Sequence, residues 1–199
     1  MTVGRKRGFD ENVALDAAMN VFWQKGYLGA SLSHLTAAMG INKPSMYSTF
    51  GNKQALFVKA TSHYVESHMA KHLKILSAPS LSLRDKLMQY MQSVIAMQTE
   101  QSQGRGCYLV LCQSEIVSDE IPSEAVSVLE QYDVEAKAIF LSLFESDPES
   151  IEKGLDKNAQ IHALTIYTVL KGAASMARAG VPCAQLNGVI DNTLTGIGL

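Results

Sequence analysis

Apolar residues recur every three to four positions along almost the whole chain, and no useful stretch alternates with a period of two. This spacing places apolar side chains on one face of an α-helix, so we predict an all-α protein. The pattern begins at residues 10–25, and a left-handed cap is expected at Gly26. The apolar face of this first helix contains Ala14, Ala17, Ala18, Val21 and Phe22.

Capping residues divide the first part of the chain into four helices. Ser31, Asn42 and Asn52 each precede a helical pattern, and their side chains can accept hydrogen bonds from its first free amides. Glycines at positions 40 and 51 end the second and third helices, and the fourth is expected to continue to about residue 73. Pro44 lies in the first turn of the third helix, where it costs no hydrogen bond. The second and third helices therefore form a helix-turn-helix inside a small bundle.

Beyond a turn-rich break at residues 77–82, we predict helices at 83–102, 107–117, 123–146, 156–179 and 184–197. Residues 163–177 contain only Lys171 as a charge, and a helix that is apolar on every side must be covered on every side. We therefore expect this helix and the last one to pack against a second copy of the chain as a four-helix dimer interface. The alternative is a single central helix in the core of a monomer.

Composition narrows the class of protein. The chain has 199 residues, of which 47% are hydrophobic and 18% charged, as in an ordinary globular protein. No apolar run approaches the 18 or so residues that span a bilayer, and the first residues lack the apolar segment of a secretory signal. Three cysteines, an odd number, do not indicate a disulfide framework. We expect a cytoplasmic protein with no membrane contact.

Charge is distributed unevenly. Residues 1–60 carry seven Lys or Arg and three acids, a net +4, whereas the rest of the chain has a net charge of −6. A basic amino end on an acidic body indicates that this end meets a polyanion. A chance excess of surface lysines is the alternative.

The third helix has the properties of a helix that enters the DNA major groove. Such a helix is short and exposed, with small or hydrogen-bonding side chains at its amino end and phosphate contacts on both sides. Met46 and Phe50 are expected to face the bundle, and Tyr47 lies on another face. Ser31 could instead serve only as a cap. The candidate DNA contacts are Arg5, Lys6, Arg7, Ser31, Asn42, Lys43, Pro44, Ser45, Tyr47, Ser48 and Lys53.

Residues 8–57 resemble the amino-terminal domain of the TetR family of transcriptional regulators. The resemblance lies in FWQKGY at the end of the first helix, SLSHLTAAMG in the second, and INKPSMYSTFGNK after it. It implies a DNA-binding domain at residues 1–52 and an effector-binding and dimerisation domain at 53–199. It also implies a homodimer on a double-stranded operator with two-fold related half-sites, most often as a repressor released by a small-molecule effector. No cofactor is expected.

An effector cavity between the helices of the larger domain would be lined by apolar and thioether side chains with a few polar groups. The same residue types are also typical of plain core. The candidates are Met88, Met91, Ile95, Cys107, Leu111, Tyr132, Phe140, Tyr167 and Met176. Cys107 precedes a predicted helix two residues after Arg105, where a helix dipole favours a thiolate. A thiol-based redox or electrophile sensor of the same fold is therefore an alternative.

Other functions have weaker support. His68 and His72 share a helix face at a spacing that metals use, but a third ligand is not evident, so we expect a solvated face and no metal. The sequence has no nucleophile elbow and no phosphate-binding glycine loop, so we do not expect an enzyme. An all-α ligand-binding dimer that has lost DNA binding is the remaining alternative.

Overall fold

The computed structural model describes residues 9–100, 106–118 and 120–199, and the regular elements in these ranges are all helical. The prediction of an all-α fold is confirmed. The first five helices are α1 (Glu11–Gly29), α2 (Leu32–Met39), α3 (Lys43–Phe50), α4 (Lys53–Tyr64) and α5 (Ala70–Leu76). They are followed by α6 (Leu83–Thr99), α7 (Tyr108–Ser114), α8 (Ser123–Ser146), α9 (Pro148–Glu152), α10 (Ala159–Arg178) and α11 (Cys183–Gly196).

The first three helices form a head around α1, because each contributes large apolar side chains to one cluster. Phe22 and Trp23 of α1 are fully buried, as are Leu35 of α2 and Met46 of α3. Gly40 joins α2 to α3 with φ 65°, the left-handed conformation that ends a helix without strain in glycine. The predicted helix-turn-helix is therefore present, with Met46 and Phe50 on its buried side.

Gly26 differs from the cap that we predicted. Its φ of 71° is positive, as expected, but its ψ of −179° is extended, and one more helical turn follows to Gly29. Helix α1 therefore contains a break at Gly26, and the amides of Tyr27 and Leu28 begin the turn after it.

The fourth predicted helix is two α-helices joined by a π-helical turn at Val65–Met69. Helix α4 packs on α1 through Leu56, Phe57 and Tyr64, all fully buried, whereas α5 packs on α6. The long element thus leaves the head and enters the larger domain. The apolar cluster of the head does not end at the predicted domain boundary at residue 53. It continues along α4 and includes Tyr108 and Cys112 of α7.

A second apolar cluster joins α6, α8, α10 and α11. The predicted helices at 123–146 and 184–197 are confirmed within one residue. The predicted segment 107–117 is shorter, because α7 ends at Ser114 and a 3₁₀ turn follows at Ile116–Ser118. Short helix α9 and the 3₁₀ turn Leu155–Asn158 were not expected.

Helix α10 is covered on one side only in a single chain. Leu170 and Ala173 are buried against the core, whereas Leu164 and Met176 are about half exposed, at 50% and 52%. Gly172 lies between them with no atom within 4 Å of the position of an added Cβ. The alternative of a single central helix in a monomer core therefore does not fit the exposed side of α10. Within the described ranges, none of the helices combines the length and hydropathy that a bilayer crossing needs.

Candidate DNA-binding surface and effector cavity

Helix α3 presents a mainly polar surface to solvent because Met46 and Phe50 turn into the head. Tyr47 is 48% exposed, whereas its neighbour Met46 is fully buried. The other exposed residues of this surface are Asn42, Lys43, Pro44 and Ser48, with Ser45 partly exposed. Arg5, Lys6 and Arg7, also predicted to contact DNA, lie outside the described residues.

Three of the side chains near this surface also cap helices. Ser31 Oγ accepts a hydrogen bond from the His34 amide at 3.1 Å, and Asn42 Oδ1 accepts one from the Ser45 amide at 2.9 Å. Asn52 Oδ1 accepts one from the Ala55 amide at 2.8 Å. The cap uses one of the two acceptor sites of the Asn42 oxygen and leaves the amide nitrogen to donate, for example to a phosphate oxygen or a base edge.

Lys53 lies at the amino end of α4 and is held in place by the ring of Tyr27. Its Nζ is 4.3 Å from the ring centroid, a cation–π distance. Burial lowers the pKa of Lys53, and the negative charge of Glu115 opposes that shift. The position of this lysine therefore depends on the turn that follows Gly26.

Helices α7 and α10 hold the break in α1 by three sets of polar contacts, which we call the α1 junction. Glu115, just after α7, accepts hydrogen bonds from the amides of Tyr27 at 2.6 Å and Leu28 at 3.3 Å. The indole of Trp23 donates to the carbonyl oxygen of Gly106 at 3.0 Å. Arg178, the last residue of α10, donates to the carbonyl oxygens of Trp23 and Gln24.

The α1 junction requires glycine on both sides. A Cβ on Gly26 would lie 2.2 Å from Glu115 Oε1, and a Cβ on Gly106 would lie 2.7 Å from the carbonyl oxygen of Ala174. Both glycines also have positive φ. We did not predict this contact, and the sequence signal for it is slight, since Glu115 is one acid among 19.

Two adjoining chambers between α5–α8 and α10 form the inner cavity, with volumes of about 70 and 100 Å³. Four predicted residues line it, namely Cys107, Tyr132, Phe140 and Tyr167. Residues that we did not predict complete the wall: Met69, Leu73, Tyr90, Val94, Gln98, Leu109, Val110, Gln113, Glu135, Ala136, Ile139, Leu170 and Lys171, with Val65 at one end.

The other predicted wall residues lie elsewhere. Met91 and Ile95 are fully buried in the second apolar cluster, and Met88 packs against that cluster. Leu111 lines an outer groove between α7 and α10, and Met176 is exposed. Helix α6 carries two neighbouring apolar stripes, and the stripe with Tyr90, Val94 and Gln98 faces the cavity. The signal that could have identified it is Gln98, a polar residue in an apolar pattern.

A charged cluster closes one side of the cavity. Asp133 accepts hydrogen bonds from Lys137, Tyr167 and Lys171, the last at 2.9 Å. Partial burial acts to raise the pKa of Asp133, but these three donors outweigh it and hold the pKa well below the usual range. Burial and the bond to Asp133 raise the pKa of Tyr167, so its hydroxyl stays protonated.

Cys107 lines both the inner cavity and the outer groove. Burial raises the pKa of its thiol, which is the opposite of the direction that we expected at the start of α7. The hydroxyl of Tyr64 lies 3.7 Å from its sulfur. Arg105, the expected source of positive charge, lies outside the described residues. The thiol is therefore a buried neutral group in this structure.

The prediction of a solvated histidine face is wrong. His72 is only 6% exposed, and its Nδ1 bonds the hydroxyl of Ser93. His68 packs against the rings of Trp23 and Tyr64. Burial lowers the pKa of both histidines. Among the described residues, no group of three or more His, Cys, Asp or Glu side chains is arranged to hold a metal ion.

Comparisons with known proteins agree with this arrangement of a helix-turn-helix and a larger helical domain. Residues 14–60 match the family model described as "Bacterial regulatory proteins, tetR family". The chain is 35% identical over 107 residues to the HTH-type transcriptional repressor ComR of Escherichia coli K12, covering 54% of this chain and 51% of ComR. It is 42% identical over 62 residues to the repressor BdcR of the same organism, covering 31% of this chain and 32% of BdcR. The chain therefore spans at most about half the length of these two curated relatives.

A solved structure matches over nearly the full length. The TetR family transcriptional regulator CifR, as a cysteine mutant complexed with 26 bp double-strand operator DNA, is 33% identical with a TM-score of 0.83. The match covers 96% of this chain and 98% of CifR. Since the identity, coverage and fold all agree, the chain belongs to the TetR family of DNA-binding transcriptional regulators.

Proposed function

We propose that this protein is a cytoplasmic homodimeric repressor that binds a palindromic operator and leaves it when a small, largely apolar effector occupies the inner cavity. The observation that carries the proposal is the exposed polar side of α3, with Tyr47 and Lys43 on a helix anchored by Met46. ComR and BdcR are named as repressors, and CifR is described on operator DNA, which supports this function.

In this proposal α3 lies in the major groove. Lys43, Tyr47 and Lys53 contact phosphates or base edges, and Asn42 donates through its free amide nitrogen. Ser31, Pro44, Ser45 and Ser48 complete the contact surface. The arm with Arg5, Lys6 and Arg7 contacts phosphates or the minor groove.

The dimer forms through α10 and α11. Ile161 and Leu164 of α10 and Val189 of α11 are large apolar side chains that one chain leaves exposed, and the small residues Gly172 and Gly188 permit close approach of a second copy. Two heads on one face of the duplex must present their reading helices roughly 34–36 Å apart. An effector that prefers another spacing lowers DNA affinity, by no more than its differential affinity for the two states.

Two routes connect the cavity to the head. Helix α4 begins at the DNA with Lys53 and continues through the π-helical turn, where Val65 and Met69 reach the cavity wall. Helix α7 lines the cavity with Leu109, Val110 and Gln113 and is followed directly by Glu115 at the α1 junction. We propose that an effector in the cavity moves the head through helices α4 and α7. Residues 1–52 then form the DNA-binding unit, and residues 53–199 form the effector-binding and dimerisation unit.

Fluorescence anisotropy with labelled DNA from upstream of the gene tests the proposal. Lys43→Ala and Tyr47→Phe should weaken operator binding, and Lys43→Ala should also reduce the salt slope by about one if it contacts a phosphate. Lys157→Ala removes an exposed lysine of the larger domain and serves as the matched control. Equal affinity of all three variants and the wild type, or no salt dependence, would contradict DNA reading by α3.

Thiol sensing is a second candidate, because Cys107 borders both the inner cavity and the outer groove. Its raised pKa makes attack on an electrophile slow at neutral pH. If the candidate is correct, a thiol reagent should release wild-type protein from DNA and leave Cys107→Ser bound. Equal responses of the two proteins would remove Cys107 as the sensor.

A further inference from the structure

Two buried side-chain amides in the wall of the inner cavity have unsatisfied oxygen atoms. Gln113 donates from Nε2 to the carbonyl oxygen of Leu129 at 3.2 Å. A carbonyl can only accept, so this bond fixes the orientation of the Gln113 amide and directs its Oε1 elsewhere. No donor among the described residues reaches that buried oxygen.

Gln98 is a second residue of this cavity wall with an unpaired amide oxygen. It belongs to α6, is only 3% exposed, and its Oε1 is buried without a donor among the described residues. Buried polar atoms in native proteins nearly always have a partner, and leaving one unpaired is unfavourable. The two residues with these unpaired acceptors line the same cavity, which favours a ligand that donates hydrogen bonds.

Both charged side chains in the cavity wall have polar partners. Lys171 has its ammonium group 2.9 Å from the carboxylate of Asp133, and Glu135, at an exposed position, accepts a hydrogen bond from Gln131. The hydroxyl of Tyr167 also donates to Asp133. Most of the remaining wall is apolar, including Val94, Leu109 and Phe140.

We propose that the inner cavity binds a neutral molecule with an apolar body and a hydroxyl group, an alcohol or a phenol, whose O–H donates to the side-chain amide oxygen of Gln113 or Gln98. A ketone or an ether of the same shape only accepts hydrogen bonds and leaves both oxygens unpaired. Chambers of about 70 and 100 Å³ fit a body of about one ring. This inference rests on the proposed function, because it names the effector class for the same cavity.

Isothermal titration calorimetry with cyclohexanol and cyclohexanone, which differ little in shape, tests the inference on the full-length protein. Cyclohexanol should bind roughly 5- to 30-fold more tightly, the ratio expected when one buried acceptor is paired in one complex only. In Gln98→Met or Gln113→Met, which keep similar volume without the acceptor, this ratio should fall to about twofold or less in at least one variant. Gln89→Met, at an exposed position of α6, is the matched control and should keep the wild-type ratio.

Thermal unfolding without ligand gives a second readout. Replacing an unpaired buried acceptor by an apolar group should raise the Tm of Gln98→Met by roughly 2–6 °C relative to Gln89→Met. Equal affinity for the two probes, failure of both to bind, an unchanged ratio in both cavity variants, or a lower Tm for Gln98→Met would each overturn the inference. Operator binding of the wild-type protein, measured without either probe, separates the two proposals. If the protein does not bind DNA but still binds cyclohexanol more tightly than cyclohexanone, only the proposed regulator function is refuted.

Discussion

Glu115 ties the larger domain to the DNA-binding head, so removing its carboxylate tests whether the α1 junction holds the head in place. We expect Glu115→Ala to lower both the stability of the protein and its affinity for the operator. Glu115→Gln keeps one oxygen at the same reach and removes the charge. Comparing the two variants separates geometry from electrostatics.

The contacts of Glu115 set the size of the effect. The bond from the Tyr27 amide is short, at 2.6 Å, and the bond from Leu28 is longer, at 3.3 Å, and more exposed. Hydrogen bonds to charged groups contribute about 1.5–3 kcal/mol each, and a long exposed one less, so Glu115→Ala should cost about 2–3 kcal/mol. In a chain of this length that loss lowers Tm by roughly 4–12 °C, and the Gln variant should lose about half as much.

The effect on DNA follows from Lys53. Its ammonium lies over the ring of Tyr27, and Tyr27 is held by Glu115, so the Ala variant should lose the position of one cation next to the phosphates. We expect roughly 5- to 10-fold weaker operator binding and a salt slope lower by about one. Glu115→Gln should bind within about threefold of the wild type, because it keeps the geometry and removes a negative charge near the DNA.

The assay combines thermal unfolding with anisotropy titrations at several salt concentrations. Glu145→Ala, an exposed glutamate on α8, is the matched control and should behave as the wild type. If Glu115→Ala unfolds within about 1 °C of the wild type and binds the operator within about twofold, our view of the α1 junction is refuted. If Glu115→Gln and Glu115→Ala lower Tm equally, the negative charge of Glu115 alone would account for its stabilising effect.

Three further predictions follow from burial and backbone geometry. Gly26→Ala should lower Tm more than Glu115→Ala does, because the new Cβ meets Glu115 Oε1 at 2.2 Å and because a φ of 71° is strained in alanine. In the double variant Gly26→Ala/Glu115→Ala the clash is gone but the strain remains, so part of the loss in Tm caused by Gly26→Ala should persist. Leu164→Glu should shift the protein toward monomers in analytical ultracentrifugation and weaken operator binding, whereas Ile151→Glu, which also alters an exposed side chain, should not. Burial holds the pKa of His72 below its usual value, so the unfolded state takes up a proton first, and stability should fall as pH drops from 7 to about 5.5. A His72→Gln variant should show a shallower fall in Tm across that range, and an equal slope would exclude His72 as a cause.

The sequence predicted the head well because its signals are local. Ser31, Asn42 and Asn52 cap the helices that we assigned to them, since a side chain two or three residues from a free amide reaches it in any context. The burial of Met46 and the exposure of Tyr47 follow from helical period alone.

The larger domain was predicted less well, because its details depend on contacts distant in sequence. Periodicity identified α6 as a helix but could not tell which of its two apolar stripes faces the cavity, so Met91 was assigned to the wall instead of Gln98. The sequence predicted a solvated His72, but in the structure α6 covers this residue and Ser93 of α6 bonds its ring. The contacts of Glu115 could not be predicted from local sequence, since its partners Tyr27 and Leu28 lie more than 85 residues away.

The π-helical turn at Val65–Met69 determines which side of α5 faces α6. An α-helix advances about 100° per residue, so positions spaced by four, such as Leu56, Ala60, Tyr64, His72 and Leu76, drift about 40° per step around a straight helix. A π-helical turn holds about one residue more than an α-helical turn and cancels roughly half of the drift accumulated across the whole span. A one-residue deletion there would leave a continuous α-helix with His72 and Leu76 still facing α6, whereas conversion of the turn to α-helix at unchanged length would rotate both residues by about 100°. The π-helical turn therefore places these two residues against α6 by accommodating one extra residue.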